Sequence, residues 1–383
     1  MTVVAAAPAV VPTPPWFPVG DNRVQLLRDG REAFPAMLDA IDRAEREVLL
    51  EMYWVGADIA GERFRNALTR AALRGVQVRV VYDALGSLNV DLAWWSPVTA
   101  AGGEVLEFHP LSPLRREFRL NLVEQRDHRK VLVVDGNIGF AGGINLSIEW
   151  LPVEDGGSGW RDDMIAVIGP TAQELRTLFY RTRRRLVREP LPADVAPILR
   201  AHPRPVWVLA SRALPKRLVH REYLFRIRTA KRHIDLANSY FVPERRVRIA
   251  LARAVARGVR VRVMVPARGD VPAVQYAVEA LFDALLRRGI EVYSMPGPML
   301  HAKTAIIDDE FTTIGSYNLD ERSWRKNLEI NLAVEDADFA RYTRTWFEDD
   351  LRRCKRIDLA TWRTRPRTRV IAEWLSLAFR KLW

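Results

Sequence analysis

The chain has 383 residues, 48% of them hydrophobic, which is too long for one small core and calls for two domains or a duplicated one. Its 59 Lys and Arg against 47 Asp and Glu leave a net charge of +12 and a pI near 10.1, which favours an anionic partner, nucleic acid or an acidic membrane surface, without choosing between them. The single cysteine, Cys354, excludes an internal disulfide and Cys-rich metal sites and fits a reducing compartment.

Val3 to Val11 is apolar but broken by Pro8 and stopped by Pro12, with no basic residues before it. It fits neither a signal peptide nor a membrane span, and residues 1–18 are expected to be a disordered leader. A helix over Phe34–Arg46 should precede an apolar strand over Val48–Trp54. Helix Glu62–Arg74 should then end at Gly75, a C-cap signal, before strand Val76–Asp83. Thr171–Arg188 reads as a helix carrying Arg181, Arg183, Arg184, Arg185 and Arg188, followed by a linker with Pro190, Pro192, Pro197, Pro203 and Pro205. A boundary near residue 200 follows. Beyond it the pattern returns: helix Glu222–Lys231, strand Ile234–Phe241, helix Arg245–Arg257 ending at Gly258, and strand Val259–Pro266. Strands alternating with helices imply an α/β fold with a largely parallel sheet covered on both faces. The tail, 363–383, places Val370, Trp374 and Leu377 at helical spacing among Arg363, Arg365, Arg367, Arg369, Arg380 and Lys381. It is expected to be a basic amphipathic helix, lying either in a membrane interface or against the body.

The spacing between repeats is uneven. Glu51 to Asn238 and Gly102 to Gly289 are each 187 residues apart, but His128 and His301 are only 173 apart. The first half therefore carries 14 extra residues within Phe108–Asp127, where apolar and basic side chains interleave. This is either an ordinary surface loop or one that dips into a lipid headgroup layer.

The two histidines open two copies of one motif. His128, Lys130 and Asp135 read H-x-K-x4-D, as do His301, Lys303 and Asp308. Each copy is followed by a Gly-rich turn and an Asn, Asn145 or Asn318. One copy alone would be weak evidence, but two with matching turns are strong. On a strand, residues two apart face the same way, so each His and Lys leave together, while the Asp falls in the turn that follows. Brought together, the copies offer two imidazoles and two ammonium groups. That set suits a phosphoryl centre: one His attacks phosphorus, the other protonates the leaving alcohol, and the lysines hold the oxygens. The chemistry calls for no metal and no cofactor.

These motifs, with Val24–Gly30 (VQLLRDG), Leu50–Trp54 (LEMYW), Arg74–Val80 (RGVQVRV), Asn238–Pro243 (NSYFVP) and Asn318–Ser323 (NLDERS), resemble the phospholipase D superfamily. More narrowly they resemble bacterial cardiolipin synthases, over roughly residues 20–383, in a short form without N-terminal transmembrane helices. The resemblance implies two tandem α/β/α sandwich repeats, 19–200 and 201–362, related by a pseudo-twofold axis and sharing one site. It implies catalytic roles for His128, Lys130, Asp135, His301, Lys303 and Asp308, and supporting roles for Asn145, Asn318, Asp162 and Glu329. His128 is assigned as nucleophile and His301 as acid/base, with the reverse left open. The implied reaction converts two phosphatidylglycerols to cardiolipin and glycerol through a phosphohistidine. Anionic phospholipids are the implied partners, phosphatidylglycerol first and phosphatidylethanolamine as an alternative, with no obligatory nucleic acid. The implied location is peripheral, on the cytoplasmic face of the bacterial inner membrane. The competing activities are phospholipase D hydrolysis and superfamily nuclease action. A non-catalytic lipid- or nucleic-acid-binding role is a further alternative.

Overall fold

A computed structural model describes residues 13–115, 117–195, 204–211 and 218–379. The first half contains β1 (Phe17–Val19), β2 (Asn22–Arg28), α1 (Asp29–Asp42), β3 (Glu47–Met52), α2 (Ile59–Leu73), β4 (Gln77–Asp83), α3 (Ser96–Ala100), β5 (Glu104–Phe108), β6 (Lys130–Val134), β7 (Ile138–Gly142), β8 (Asp163–Ile168) and α4 (Pro170–Val187). The second contains β9 (Val206–Ala210), α5 (Leu218–Thr229), β10 (His233–Asn238), α6 (Arg245–Ala256), β11 (Arg260–Pro266), α7 (Pro272–Glu279), α8 (Phe282–Leu286), β12 (Glu291–Met295), β13 (Lys303–Ile307), β14 (Phe311–Gly315), α9 (Glu321–Arg325), β15 (Ile330–Glu335), α10 (Ala337–Arg353), β16 (Lys355–Arg356), α11 (Leu359–Arg363) and α12 (Arg367–Ala378). No helix among the described residues is long and apolar enough to cross a membrane.

The strand orders are β1-β2-β8-β7-β6-β3-β4-β5 and β16-β12-β11-β10-β13-β14-β15-β9. Read from β2 and from β9, seven strands follow the same order, so the duplication extends to the hydrogen-bond ladder. Only β3-β4-β5 and β10-β11-β12 are parallel; the remaining pairs are antiparallel. The sheets are therefore mixed and not largely parallel as expected. The helical crossovers occupy one side of each sheet, while β6 to β8 and β13 to β15 meander. Pairing with the motif strands equates Met52 with Asn238, opposite Lys130 and Lys303, one residue off the sequence alignment of Glu51 with Asn238. The extra length before His128 is real: β5 to β6 spans Phe108 to Lys130, whereas β12 to β13 spans only Met295 to Lys303.

Side-chain alternation divides the core into layers. Val48, Leu50 and Met52 of β3 pack under α1 and α2, as Ile234 and Leu236 of β10 pack under α5 and α6. The opposite faces meet. Leu49, Val131 and Val133 join Leu175 and Phe179 of α4 and Ile314, Ile330 and Leu332 of the second sheet in one shared core. The end of the segment expected to be a disordered leader, residues 1–18, is structured. Phe17–Val19 pairs with β2, and Phe17 packs edge-on at 5.6 Å against Phe339 of the second half. Residues 1–12 lie outside the described residues, as does the proposed boundary at 200.

The tail helix α12 rests on α7, tied by Arg369 to Glu279 at 2.7 Å, while Arg365 binds the buried Glu373. The expected stripe is split: Leu377 packs against the second core, but Trp374 points outward. The exposed face is Ile371 (60%), Trp374 (64%), Leu375 (57%) and Phe379 (55%). Residues 380–383 lie outside the described residues.

The motif aspartates build turns. Asp135 and Gly136 both have positive φ (54° and 65°), as do Asp308 and Asp309 (58° and 55°), the geometry of a type I′ hairpin turn. The Asp135 carboxylate accepts from the N–H groups of Glu45, Arg46 and Glu47 at 2.8–3.0 Å. Asp308 accepts from Lys231, Arg232 and His233 at 2.7–2.9 Å. Each thus fastens a helix-to-strand turn at the end of the motif strand away from its His and Lys. The catalytic role expected for Asp135 and Asp308 is corrected accordingly: the Asp falls past the strand, where its reach is to backbone N–H groups. Replacing Asp135 by Ala should cost about 1–3 kcal/mol of stability in a denaturant melt, with kcat of the folded enzyme little changed.

Candidate active site

The cleft lies at the carboxyl ends of the parallel strands, where open α/β sheets place their ligands. Lys130 sits opposite Met52, the last residue of β3, and Lys303 opposite Asn238, the last of β10. Arg129 turns the other way and forms a buried ion pair with Glu51 at 2.9 Å, so His128 and Lys130 share a side as the strand period requires.

The halves meet through two crossed backbone bridges. Asp127 pairs with Leu328, with His128 N–H donating to Leu328 O at 2.9 Å. Arg161 pairs with Leu300, with His301 N–H donating to Arg161 O at 2.7 Å. Each bridge delivers the carboxylate of one half to the imidazole of the other. His128 Nδ1 lies 3.0 Å from Glu329 Oε2, and His301 Nδ1 lies 2.7 Å from Asp162 Oδ2. A carboxylate on Nδ1 fixes the ring and leaves Nε2 for chemistry.

The carboxylates differ in their support. Asp162 also accepts from Trp150 Nε1 at 3.0 Å and from Asp163 N–H at 2.8 Å. Burial raises its pKa, but His301, Lys303 and the Trp150 bond outweigh that and hold it below the usual range. Glu329 accepts from Ser316 Oγ at 2.5 Å and Asn327 Nδ2 at 3.3 Å, yet burial pushes it up to about 7 against the pull of Lys130. Gly143 occupies the place of Ser316 in the first half; a Cβ there would meet Asp162 Oδ1 at 2.1 Å.

Below the rings, Lys130 Nζ donates to His128 O at 2.7 Å, and Lys303 Nζ donates to His301 O and sits 3.0 Å from His301 Nε2. Burial lowers Lys130 to about 7 and Lys303 to about 8. Burial and the two lysines also depress His128 well below its ordinary value. His301 is lowered by burial and Lys303, with Asp162 pulling back.

His128, His301, Asn145 and Asn318 line a single cleft of about 470 Å³, an ordinary size for a small-ligand site. Asn145 Oδ1 accepts from Trp54 N–H at 3.1 Å and Asn318 Oδ1 from Ser239 Oγ at 2.9 Å, so each presents an amide NH₂ as its remaining donor. The structure thus gathers His128, Lys130, Asn145, Glu329, His301, Lys303, Asn318 and Asp162, and leaves Asp135 and Asp308 outside. Sequence reasoning gave no role to Tyr53, packed edge-on to His128 at 4.7 Å, to Tyr240, or to Asp270, Asp320 and Arg322 on the cleft wall. Tyr53 and Tyr240 were visible as residues just past the apolar strands β3 and β10; Asp270 carried no local signal. His109, His220 and His233 bond to Gln125 O, Tyr317 and Glu244, and Asp309, respectively, and His202 lies outside the described residues.

The chain is similar to known proteins over most of its length. The family model described as "Cardiolipin synthase, PLD-like domain" aligns with residues 37–179 and 223–351. The chain belongs to the cardiolipin synthase family. It is 33% identical to the cardiolipin synthase of Geobacillus thermodenitrificans, covering 91% of this chain and 70% of that one. It is 35% identical to cardiolipin synthase A of Pseudomonas putida, covering 88% and 70%. Among solved structures, phosphatidylserine synthase of Haemophilus influenzae superimposes with a TM-score of 0.68 over 96% of this chain and 95% of that one, at 15% identity, a likeness of fold. The family makes the protein a phosphatidyltransferase with two tandem phospholipase D-like repeats.

Neutralising either carboxylate, Asp162→Asn or Glu329→Gln, should lower kcat by about 10²-fold or more. The loss should be larger for Asp162→Asn, because Asp162 is the one held ionised. Steady-state kinetics on both variants, with thermal melts to confirm folding, checks the order.

Proposed function

We propose that the protein makes cardiolipin in two steps, using one histidine as nucleophile and the other as proton carrier. One observation carries this reading: two imidazoles in one cleft, each oriented by a carboxylate from the other half, above two buried lysines. His128 Nε2 attacks phosphorus of a phosphatidylglycerol, the bond to the glycerol oxygen breaks, and His301 gives that oxygen its proton. The free hydroxyl of a second phosphatidylglycerol then loses its proton to His301 and attacks the phosphohistidine, releasing cardiolipin. The lysines and the Asn145 and Asn318 amides face the charge that builds on the phosphoryl oxygens. The difference between the carboxylates supports this division of labour. Both rings are depressed, but Asp162, held ionised, pulls His301 back toward its protonated form, while the more strongly depressed His128 stays neutral and nucleophilic.

A cleft of this size takes headgroups and leaves acyl chains outside, which supports action at a bilayer surface. The exposed face of α12 joins that picture. Ile371, Trp374, Leu375 and Phe379 line one side of a helix with exposed Arg363, Arg367 and Arg369 near its start, the composition of an interfacial helix on an anionic membrane. The location proposed is peripheral, on the cytoplasmic face of the inner membrane.

Incubation with phosphatidylglycerol, with and without phosphatidylethanolamine, followed by mass analysis, should yield cardiolipin and glycerol. Phosphatidic acid alone would mean a hydrolase, and cleavage of plasmid DNA a nuclease. His128→Ala should abolish turnover. Because Lys130 and Lys303 hold phosphate as ammonium ions, kcat/KM should fall as pH rises through about 7 to 8. Trp374→Ala with Ile371→Ser should weaken flotation with phosphatidylglycerol vesicles about tenfold or more, the transfer energy of two apolar side chains being shed.

A further inference from the structure

The transfer reaction puts a second demand on the cleft. The donor phosphate sits between the histidines, but the acceptor is also a phospholipid and brings its own phosphodiester, a three-carbon chain away from the hydroxyl that attacks. The lysines lie under the rings and serve the first phosphate. A second anion needs another cation on the wall.

Arg322 fits that need. It lies on α9, on the wall shared with His128 and His301, and its charge reaches His128, Tyr53 and Asp320. The carboxylates around it are engaged. Asp320 caps α9 by accepting from Ser323 N–H at 2.7 Å, Glu321 pairs with Arg325 at 3.1 Å, and Asp270 accepts from Tyr240 OH at 2.7 Å. Among the described residues the Arg322 guanidinium forms no ion pair or side-chain hydrogen bond, and the undescribed residues include no Asp or Glu. Its platform is rigid: Trp324 stacks on His220 at 5.4 Å, and His220 bonds to Tyr317 OH at 3.2 Å and to Glu244 at 3.1 Å. An arginine on the cleft wall, borne on a fixed element and without a carboxylate partner among the described residues, is suited to a phosphodiester.

We infer that Arg322 binds the phosphodiester of the acceptor lipid and so places the acceptor hydroxyl at His301. This rests on the transfer reading given above. Arg322 is a positioning residue, and its effect is to select a phosphate-bearing alcohol over a neutral one, including water.

The test uses the full chain with phosphatidylglycerol in detergent micelles as donor and two soluble acceptors, glycerophosphoglycerol and isotopically labelled glycerol. The wild type should prefer glycerophosphoglycerol. Arg322→Gln should lower that preference about tenfold or more, through the KM of the phosphate-bearing acceptor, the worth of one charge-assisted contact. Arg322→Lys, which keeps the charge without the fork, should fall between. An equal loss with both acceptors, a slowed release of glycerol from the donor, or an unaltered preference would overturn the assignment while leaving transfer intact. A wild type that transfers to no alcohol would overturn the transfer reading itself and this assignment with it.

Discussion

Two backbone bridges hold the working parts of this protein together. The Asp127–Leu328 and Arg161–Leu300 pairings are short, but they set the register of one half against the other at the point where chemistry is needed. One residue beyond Leu328 is Glu329, and one beyond Arg161 is Asp162, so fixing the bridge fixes a carboxylate against an imidazole. Each half thus supplies a histidine it cannot orient and a carboxylate it cannot use alone. The shared core of β7, β8, β14, β15 and α4 keeps these bridges in place, because sliding one sheet on the other would bury unpaired groups and open voids in close-packed apolar surface.

Much of this was legible in the chain. The repeated H-x-K pattern located both half-sites, the 3.6-residue and strand-like periodicities placed α2, α6, β4 and β11 within a few residues, and the 14-residue insertion appears where the repeat spacing put it. Three things were not legible. The meander of β6 to β8 looks like any run of short apolar strands, since periodicity reports burial and says nothing of strand direction. The motif Asp is separated from His by a whole strand, and only the turn geometry shows that its carboxylate binds backbone N–H groups. The crossed pairing of Asp162 and Glu329 joins residues 139 and 201 positions from their histidines, a relation that no local pattern carries.

The site is symmetric in plan and unequal in chemistry. Each imidazole sits at the equivalent strand position, above its own lysine and beside its own asparagine. Yet Asp162 is gripped by Trp150 and by a backbone N–H and stays charged, whereas Glu329, held by Ser316 and Asn327, is pushed toward neutrality by burial. The aromatic setting differs in step: His301 lies against Trp150 and Trp160, and His128 against Tyr53. A reaction that needs one ring to attack and the other to ferry a proton gains from that inequality.

The crossed arrangement has a historical corollary. A single half, paired with its own copy about a twofold axis, would form the same site by the same swap, since an isologous contact repeats every interaction. In such a homodimer, positions 162 and 329 would be one genetic locus and could not diverge, and neither could Gly143 and Ser316. Copies joined in one reading frame are free to differ at each position, as Asp162 and Glu329 do here. The covalent link between the halves is thus what permits an asymmetric catalyst on a symmetric plan.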